Sequence, residues 1–198
     1  MTITEEPGTT VSVGGIDVDA AREAAADLMR ALGMDTEDSS LARTPERVAR
    51  AYADLLTPRE FTMTTFPNDE AYDELVVVGN IAFTSLCEHH LLPFTGTASV
   101  GYLPGGRIIG LSKLARVVEL FARRPQVQER MTKQIADWLD SHLEPRGTGV
   151  VVTAEHSCMT LRGARATGSV TTTSAHTGLI RTDQRTRAEF LALARTNR

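Results

Sequence analysis

The sequence predicts an α+β fold, an antiparallel sheet with helices on one face, preceded by an N-terminal helical hairpin. Three observations predict it. Two short segments of helical period come first, runs of β-branched residues broken by Gly, Asn and Pro follow, and two amphipathic helices then stand together between strand runs. A doubly wound parallel sheet would instead alternate strand and helix one for one. With 198 residues and no internal repeat, the chain can bury a substantial core without staples.

Residues 1–16, rich in Thr, Gly and Glu, carry neither period and read as a flexible leader. Residues 17–66 are the N-terminal helical region. From Asp19 to Leu32 an Ala-rich stretch sets Ala24, Leu28 and Leu32 at helical spacing, and Gly33 follows where a left-handed residue ends a helix. Thr44-Pro45-Glu46 supplies an N-cap, a proline at the first helical position and an early acid, opening a helix towards Leu56 that stops before Pro58. Residues 67–198 form the main domain. Its first strands are ELVVVG (74–79), IAFTSL (81–86) and FTGTASVGYL (94–103). Ser112 is expected to cap a helix that sets Leu114, Val117, Val118 and Phe121 on one face. Pro125 is expected to start a second helix with Val127, Met131, Ile135, Trp138 and Leu139 on its buried side. Strands return at 149–159 and 168–175, and a last helix from about Asp183 carries Phe190 and Leu191.

A net charge of −4 gives no sign of a general nucleic-acid binder, so any anionic ligand must meet locally clustered bases. No segment has the apolar length of a signal peptide or a membrane span, and the cytoplasm is the expected compartment. In such a reducing compartment Cys87 and Cys158, the only cysteines, are more readily free, catalytic or metal-bound than disulfide-linked.

The densest reactive cluster is Cys87-Glu88-His89-His90, just after a strand. Thiolate and imidazole with two residues between them in a tight turn can reach one ion, and that donor set suits zinc. Downstream, strand period would put His156 and Cys158 on one face, away from Ser157. Cys87, His90 and Cys158 would then give three ligands and leave an open position for water, with His89 and His156 beside it as acid–base groups. A lone cysteine is more simply a small buried hydrophobe. Both cysteines, however, have histidines within three positions, and three of the five histidines fall in these clusters. A structural zinc completed by His89 or His156 is the other reading.

Ser112, Lys113 and Arg116 gather at a helix start, where exposed N–H groups favour anions, and Arg162 follows Cys158 closely. This suits a phosphate-bearing ligand, whereas Arg123, Arg124 and Arg130 read as cover for a solvated face. Neither GxxxxGK[ST] nor GxGxxG occurs, so a nucleotide would not be held in those ways. Gln128-Glu129 opens a helix; Glu129 is either structural there or accepts two N–H bonds from a purine or pterin ring.

TPERVARAY (44–52), CEHHLLPFTGTASVGYLP (87–104), IGLSKLARVVELFARRPQVQERMT (109–132), EHSCMTLRGAR (155–165) and TTTSAHTG (171–178) together resemble GTP cyclohydrolase I over nearly all of the chain after the leader. The resemblance implies zinc on Cys87, His90 and Cys158, with catalysis by His89 and His156. It implies triphosphate binding by Ser112, Lys113, Arg116 and Arg162, with Arg47 a further candidate, and purine recognition by Glu129 with Gln128 beside it. It also implies a tunnelling fold (T-fold) for the catalytic domain, active sites at subunit interfaces, and a homodecamer of two pentamers. The implied reaction is hydrolytic opening of the imidazole ring of GTP, formate release, rearrangement and closure to 7,8-dihydroneopterin triphosphate, with His156 as proton donor and His89 assisting. His176 has no assigned role. Two rivals lack support: a non-catalytic sensor would be expected to lose His89, His156 or Lys113, and a nucleoside deaminase would carry HxE and PCxxC.

Overall fold

The computed structural model describes residues 15–196, so the expected leader lies almost wholly outside the described residues. α1 (Val18–Ala31) is capped by Asp17, whose carboxylate accepts from the Ala20 N–H at 2.9 Å, and it closes on Gly33 at φ +80°. α2 (Thr44–Leu56) begins at Thr44 itself; its N-cap is Arg43, without a side-chain bond, and Pro45 falls in the first turn, where a missing N–H costs nothing. The hairpin buries Ala25 and Met29 of α1 against α2. The expected stripe is the other one: Leu28 and Leu32 remain 59% and 64% exposed.

The main sheet has the order β5-β2-β3-β6-β7, with β5 the short Pro125–Gln126. β2 (Val76–Cys87), β3 (Pro93–Leu103), β6 (Gly147–His156) and β7 (Thr171–His176) are antiparallel neighbours. The two runs expected on either side of Asn80 form one strand. The register shifts between Val78 and Ile81, and Asn80 takes φ +52°, so the break is a bulge within β2. A separate two-stranded ladder joins β1 (Thr65–Pro67) to β4 (Arg107–Ile109).

α3 (Leu111–Ala122) and α4 (Gln128–Leu143) form the principal helical layer on one face. Leu114, Val117, Val118, Met131, Ile135 and Leu139 pack there against Val100, Val150 and Val152, all at 0% exposure. A smaller layer lies on the reverse face, where α6 (Gly178–Thr182) and α7 (Gln184–Thr196) pack Ile180 and Phe190 against Val77 and Val151. Phe190 sits on the cross-strand pair Gly101↔Gly149, and a Cβ on Gly149 would come within 2.7 Å of its ring. Asp183 starts α7 as expected, accepting from the Thr186 N–H at 2.7 Å.

Three local expectations are corrected. Ser112 does not cap α3, since the N-cap is Gly110, and a residue without a side chain leaves the first N–H groups without a side-chain acceptor. Pro125 does not start α4. Pro125–Gln126 forms β5, parallel to β2 beside Leu86 and Cys87, and the helix begins at Gln128 after the extended Val127. The strand expected over 149–159 ends at His156, and Ser157–Thr160 makes a single helical turn, α5. Local apolar pattern does not register that change of backbone, because Ser157, Cys158 and Met159 suit either state.

Candidate metal centre and active site

The turn that carries Cys87 and His90 is the β2–β3 connection. Cys87 closes β2; its N–H donates to Leu92 O at 2.8 Å, and its carbonyl accepts from Leu91 at 2.8 Å and His90 at 3.3 Å. Leu91 at φ +52° turns the chain back, an uncommon conformation for a γ-branched residue. Two outside contacts hold the turn: Glu88 N–H donates to Gln126 O of β5 at 3.0 Å, and the Tyr52 hydroxyl of α2 donates to Leu91 O at 3.1 Å.

Because β3 lies between β2 and β6, and Phe94 faces His156 across the β3–β6 ladder, the end of β6 arrives at this turn. The two rings stack at 4.6 Å and 4°. α5 then carries Cys158 inward, so the cysteine reaches the site by a helical turn and not by strand alternation. One ligand atom each from Cys87, His90 and Cys158 lies within 4.8 Å of the others, and Cys87 Sγ is 3.7 Å from His90 Nδ1. Burial, then the neighbouring Cys87 thiol, pushes the Cys158 thiol up, with Arg162 opposing. Two adjacent thiols, Cys87 buried and Cys158 resisting ionisation, with an imidazole alongside, form a donor set that a soft dication relieves. These residues fit zinc.

Around this triangle, His89 is largely exposed, with Nδ1 4.0 Å from Cys87 Sγ and Nε2 3.7 Å from Glu88 Oε1. Arg130 grips both Glu88 oxygens, one of them at 2.9 Å, and this guanidinium holds the Glu88 carboxyl below its usual range. Sequence reasoning left Arg130 on a solvated face; its place in the first turn of α4, beside Gln128 and Glu129, was the available signal. Arg124, read likewise, lies with its guanidinium 4.9 Å over the Phe121 ring, half-buried. His156 Nε2 lies 2.7 Å from Gln128 Oε1, and burial depresses its pKa while Glu129 pulls it up. Gln128 itself is 1% exposed.

Of the remaining basic residues, Arg162 alone is near this site. α3 ends next to the metal turn, since β5 follows it and pairs with Leu86 and Cys87. Its start lies at the other end of the sheet, where Ile109 N–H donates to the Tyr102 hydroxyl and Tyr102 pairs with Val76. Twelve helical residues span about 18 Å, and helix side chains lean toward the N-terminus, so Ser112 and Lys113 lie roughly 20 Å from Cys87 and point away. Arg116 is turned to Glu119, at 3.3 Å, which Arg59 also chelates at 2.7 Å. Burial opposes ionisation of Glu119, and the two arginines outweigh it, holding the carboxyl below its usual range. Arg162 is electrostatically coupled to Cys158, and Arg47 is exposed on α2.

An α+β sheet protein with a thiolate–imidazole triangle and a flanking histidine belongs to the class of zinc-dependent enzymes with an open coordination position. The sequence matches the profile of the family described as GTP cyclohydrolase I over residues 21–195. GTP cyclohydrolase 1 of Mycolicibacterium vanbaalenii is 50% identical over 200 residues, covering 98% of this chain and 98% of that protein. That of Aquifex aeolicus is 47% identical over 180 residues, covering 91% and 98%. Among solved structures, an apo archaeosine synthase QueF-Like gives a TM-score of 0.44 at 17% identity, covering 52% of this chain and 93% of that one. The chain belongs to the GTP cyclohydrolase I family.

Proposed function

We infer that this protein is a zinc-dependent GTP cyclohydrolase I, opening the imidazole ring of GTP with water, releasing formate and closing the rearranged product to 7,8-dihydroneopterin triphosphate. The observation that carries this reading is the Cys87–His90–Cys158 triangle with His156 fixed at its edge. Zinc held on those three residues supplies Lewis acidity, bringing ionisation of a water ligand to about neutral pH.

The chain's own groups divide the remaining work. His156, half-buried and stacked on Phe94, is placed to exchange a proton with the purine ring. His89, exposed beside Glu88, is placed to move protons between site and solvent. Glu129 offers a carboxylate to ring N–H groups, and Arg162 meets phosphate near the metal. Ser112, Lys113 and Arg116 hold the triphosphate at the start of α3, where no side chain caps the helix, and Arg47 assists.

Since the start of α3 and the metal turn of one chain are far apart, the complete site requires the metal end of one copy and the α3 start of another. A homodecamer of two pentamers is the assembly proposed, and the exposed Leu28 and Leu32 of α1 give it an apolar surface to bury. The catalytic T-fold domain is taken as residues 67–198, with residues 17–66 as its helical extension. Among the described residues no helix is long and apolar enough to cross a membrane, and the two free cysteines support the cytoplasm as compartment. No nucleic acid is expected as partner.

The test is incubation of the purified, zinc-replete protein with GTP. Formate release and a pterin that fluoresces after oxidation are expected. GTP bound and recovered unchanged would sink the reading.

A further inference from the structure

Gln128 opens α4 directly before Glu129, and its position alone suggests a contact with substrate. The structure gives it other work. At 1% exposure its side chain is closed off, and each of its polar atoms is engaged inside the protein. The amide nitrogen Nε2 donates toward Thr171 O at 3.0 Å, Val152 O at 3.1 Å and Thr173 Oγ1 at 3.1 Å. Two of these are carbonyls, which only accept, so the amide cannot be flipped without setting oxygen against oxygen.

The neighbouring hydroxyls agree with that orientation. Thr132 Oγ1 donates to Gln128 O at 2.8 Å, so its proton is spent. In the 2.6 Å Thr132–Thr173 contact the proton must then come from Thr173, which leaves Thr173 Oγ1 lone pairs free to accept from Gln128. The oxygen Oε1 is therefore the atom presented to His156 Nε2 at 2.7 Å, and a carbonyl-type oxygen takes only a donor. Nε2 must carry a hydrogen.

We propose that Gln128 is a positioning residue that fixes His156 in its Nε2–H form, making Nδ1 the nitrogen that exchanges the proton during ring opening. Nδ1 is not spent on the backbone: His156, the N-cap of α5, makes no side-chain capping bond. Stacking on Phe94 at 4° holds the plane of the ring, and the Nε2 bond to Gln128 sets which edge faces the site. In the step, the imidazolium gives its Nδ1 proton to the purine ring nitrogen and returns to neutral imidazole, while the other proton stays on Nε2, hydrogen-bonded to Gln128 Oε1. This rests on the GTP cyclohydrolase reading for the identity of the substrate, but the tautomer does not.

The experiment is magic-angle-spinning NMR of the full-length protein carrying ¹⁵N-histidine at pH 8, with His156→Ala identifying the signals, paired with steady-state kinetics of Gln128→Met. The wild type should give His156 as Nε2–H with a bare Nδ1, and Gln128→Met should lose that preference. Its kcat should fall about 10- to 100-fold, with KM for GTP changed less than about 3-fold, because the lost group touches the base and not the substrate. An Nδ1–H signal in the wild type would overturn the proposal, and that spectrum decides even if Gln128→Met does not fold. So would a Gln128→Met protein that raises KM at unchanged kcat, the mark of a direct substrate contact. Failure of the wild type to release formate is a separate result that removes the substrate assignment and leaves the tautomer to its own spectrum.

Discussion

The roughly 20 Å that separates Lys113 from Cys87 within one chain has a direct consequence for mixed assemblies. Lys113→Ala damages only the start of α3, and His156→Ala only the metal end. Each variant alone should lose most activity. If every site joins the metal end of one copy to the α3 start of another, random co-assembly of the two in equal amounts leaves some sites with both halves intact. The metal end must come from a Lys113→Ala chain and the α3 start from a His156→Ala chain, so about one quarter of the sites are whole. Co-expression of the two variants under different tags, tandem purification of the mixed species and a formate-release assay should recover about a quarter of wild-type kcat. The KM for GTP should be unchanged, because the surviving sites are wild type in every contact. Activity no greater than the sum of the separate variants would refute the shared site and require the two ends to serve one chain.

Cys158→Ala should strip the ion and abolish turnover, with metal content by elemental analysis falling from about one per chain toward zero. Arg130→Ala should free Glu88 and loosen His89, lowering kcat about 10-fold while the thermal midpoint barely moves, because the pair is exposed. Phe190→Ala, emptying the 0%-exposed position over Gly101 and Gly149, should cost about 3–5 kcal/mol in urea denaturation, and Gly149→Ala about 1–3 kcal/mol by driving a methyl into the same ring. Burial, with Arg187 nearby, depresses the pKa of His176, so the unfolded chain takes up that proton first as pH falls. Stability from this group is therefore lost as pH drops below about 6.5, and His176→Leu should flatten the fall measured by denaturation between pH 7 and 5.

Much of the metal end was legible because its chemistry is local. Cys87 and His90 share one turn, His156 and Cys158 lie two residues apart, and their residue types name the ion before any fold is known. How Cys158 gets there was not legible, since strand alternation and the α5 turn deliver the same residue by different backbones. The missed β1, β4 and β5 are two or three residues long, too short to display a period, and each exists only because a partner strand is present. Gln128 shows the limit most clearly. Its position beside Glu129 suggested substrate, but its burial depends on Thr171 and Thr173, more than forty residues downstream, and on no local pattern.

The sheet also explains why the residues proposed for catalysis and for anion binding separate. β2, β3 and β6 bring one strand end each to the metal turn, and α4 starts beside them because β5 clamps its approach to Cys87. α4 thus points the positive end of its dipole, with Gln128 and Glu129, at the histidine side of the site. α3 is fixed in the opposite sense, entering from β4 at the far end and running back toward β5. Its own positive end, with Ser112 and Lys113, is therefore directed away from the metal of the same chain. On the proposed assignment, a triphosphate at that helix start and a purine against His156 belong to one GTP molecule only when two copies face each other, so the same reversal of α3 that completes the core would make assembly a condition of catalysis.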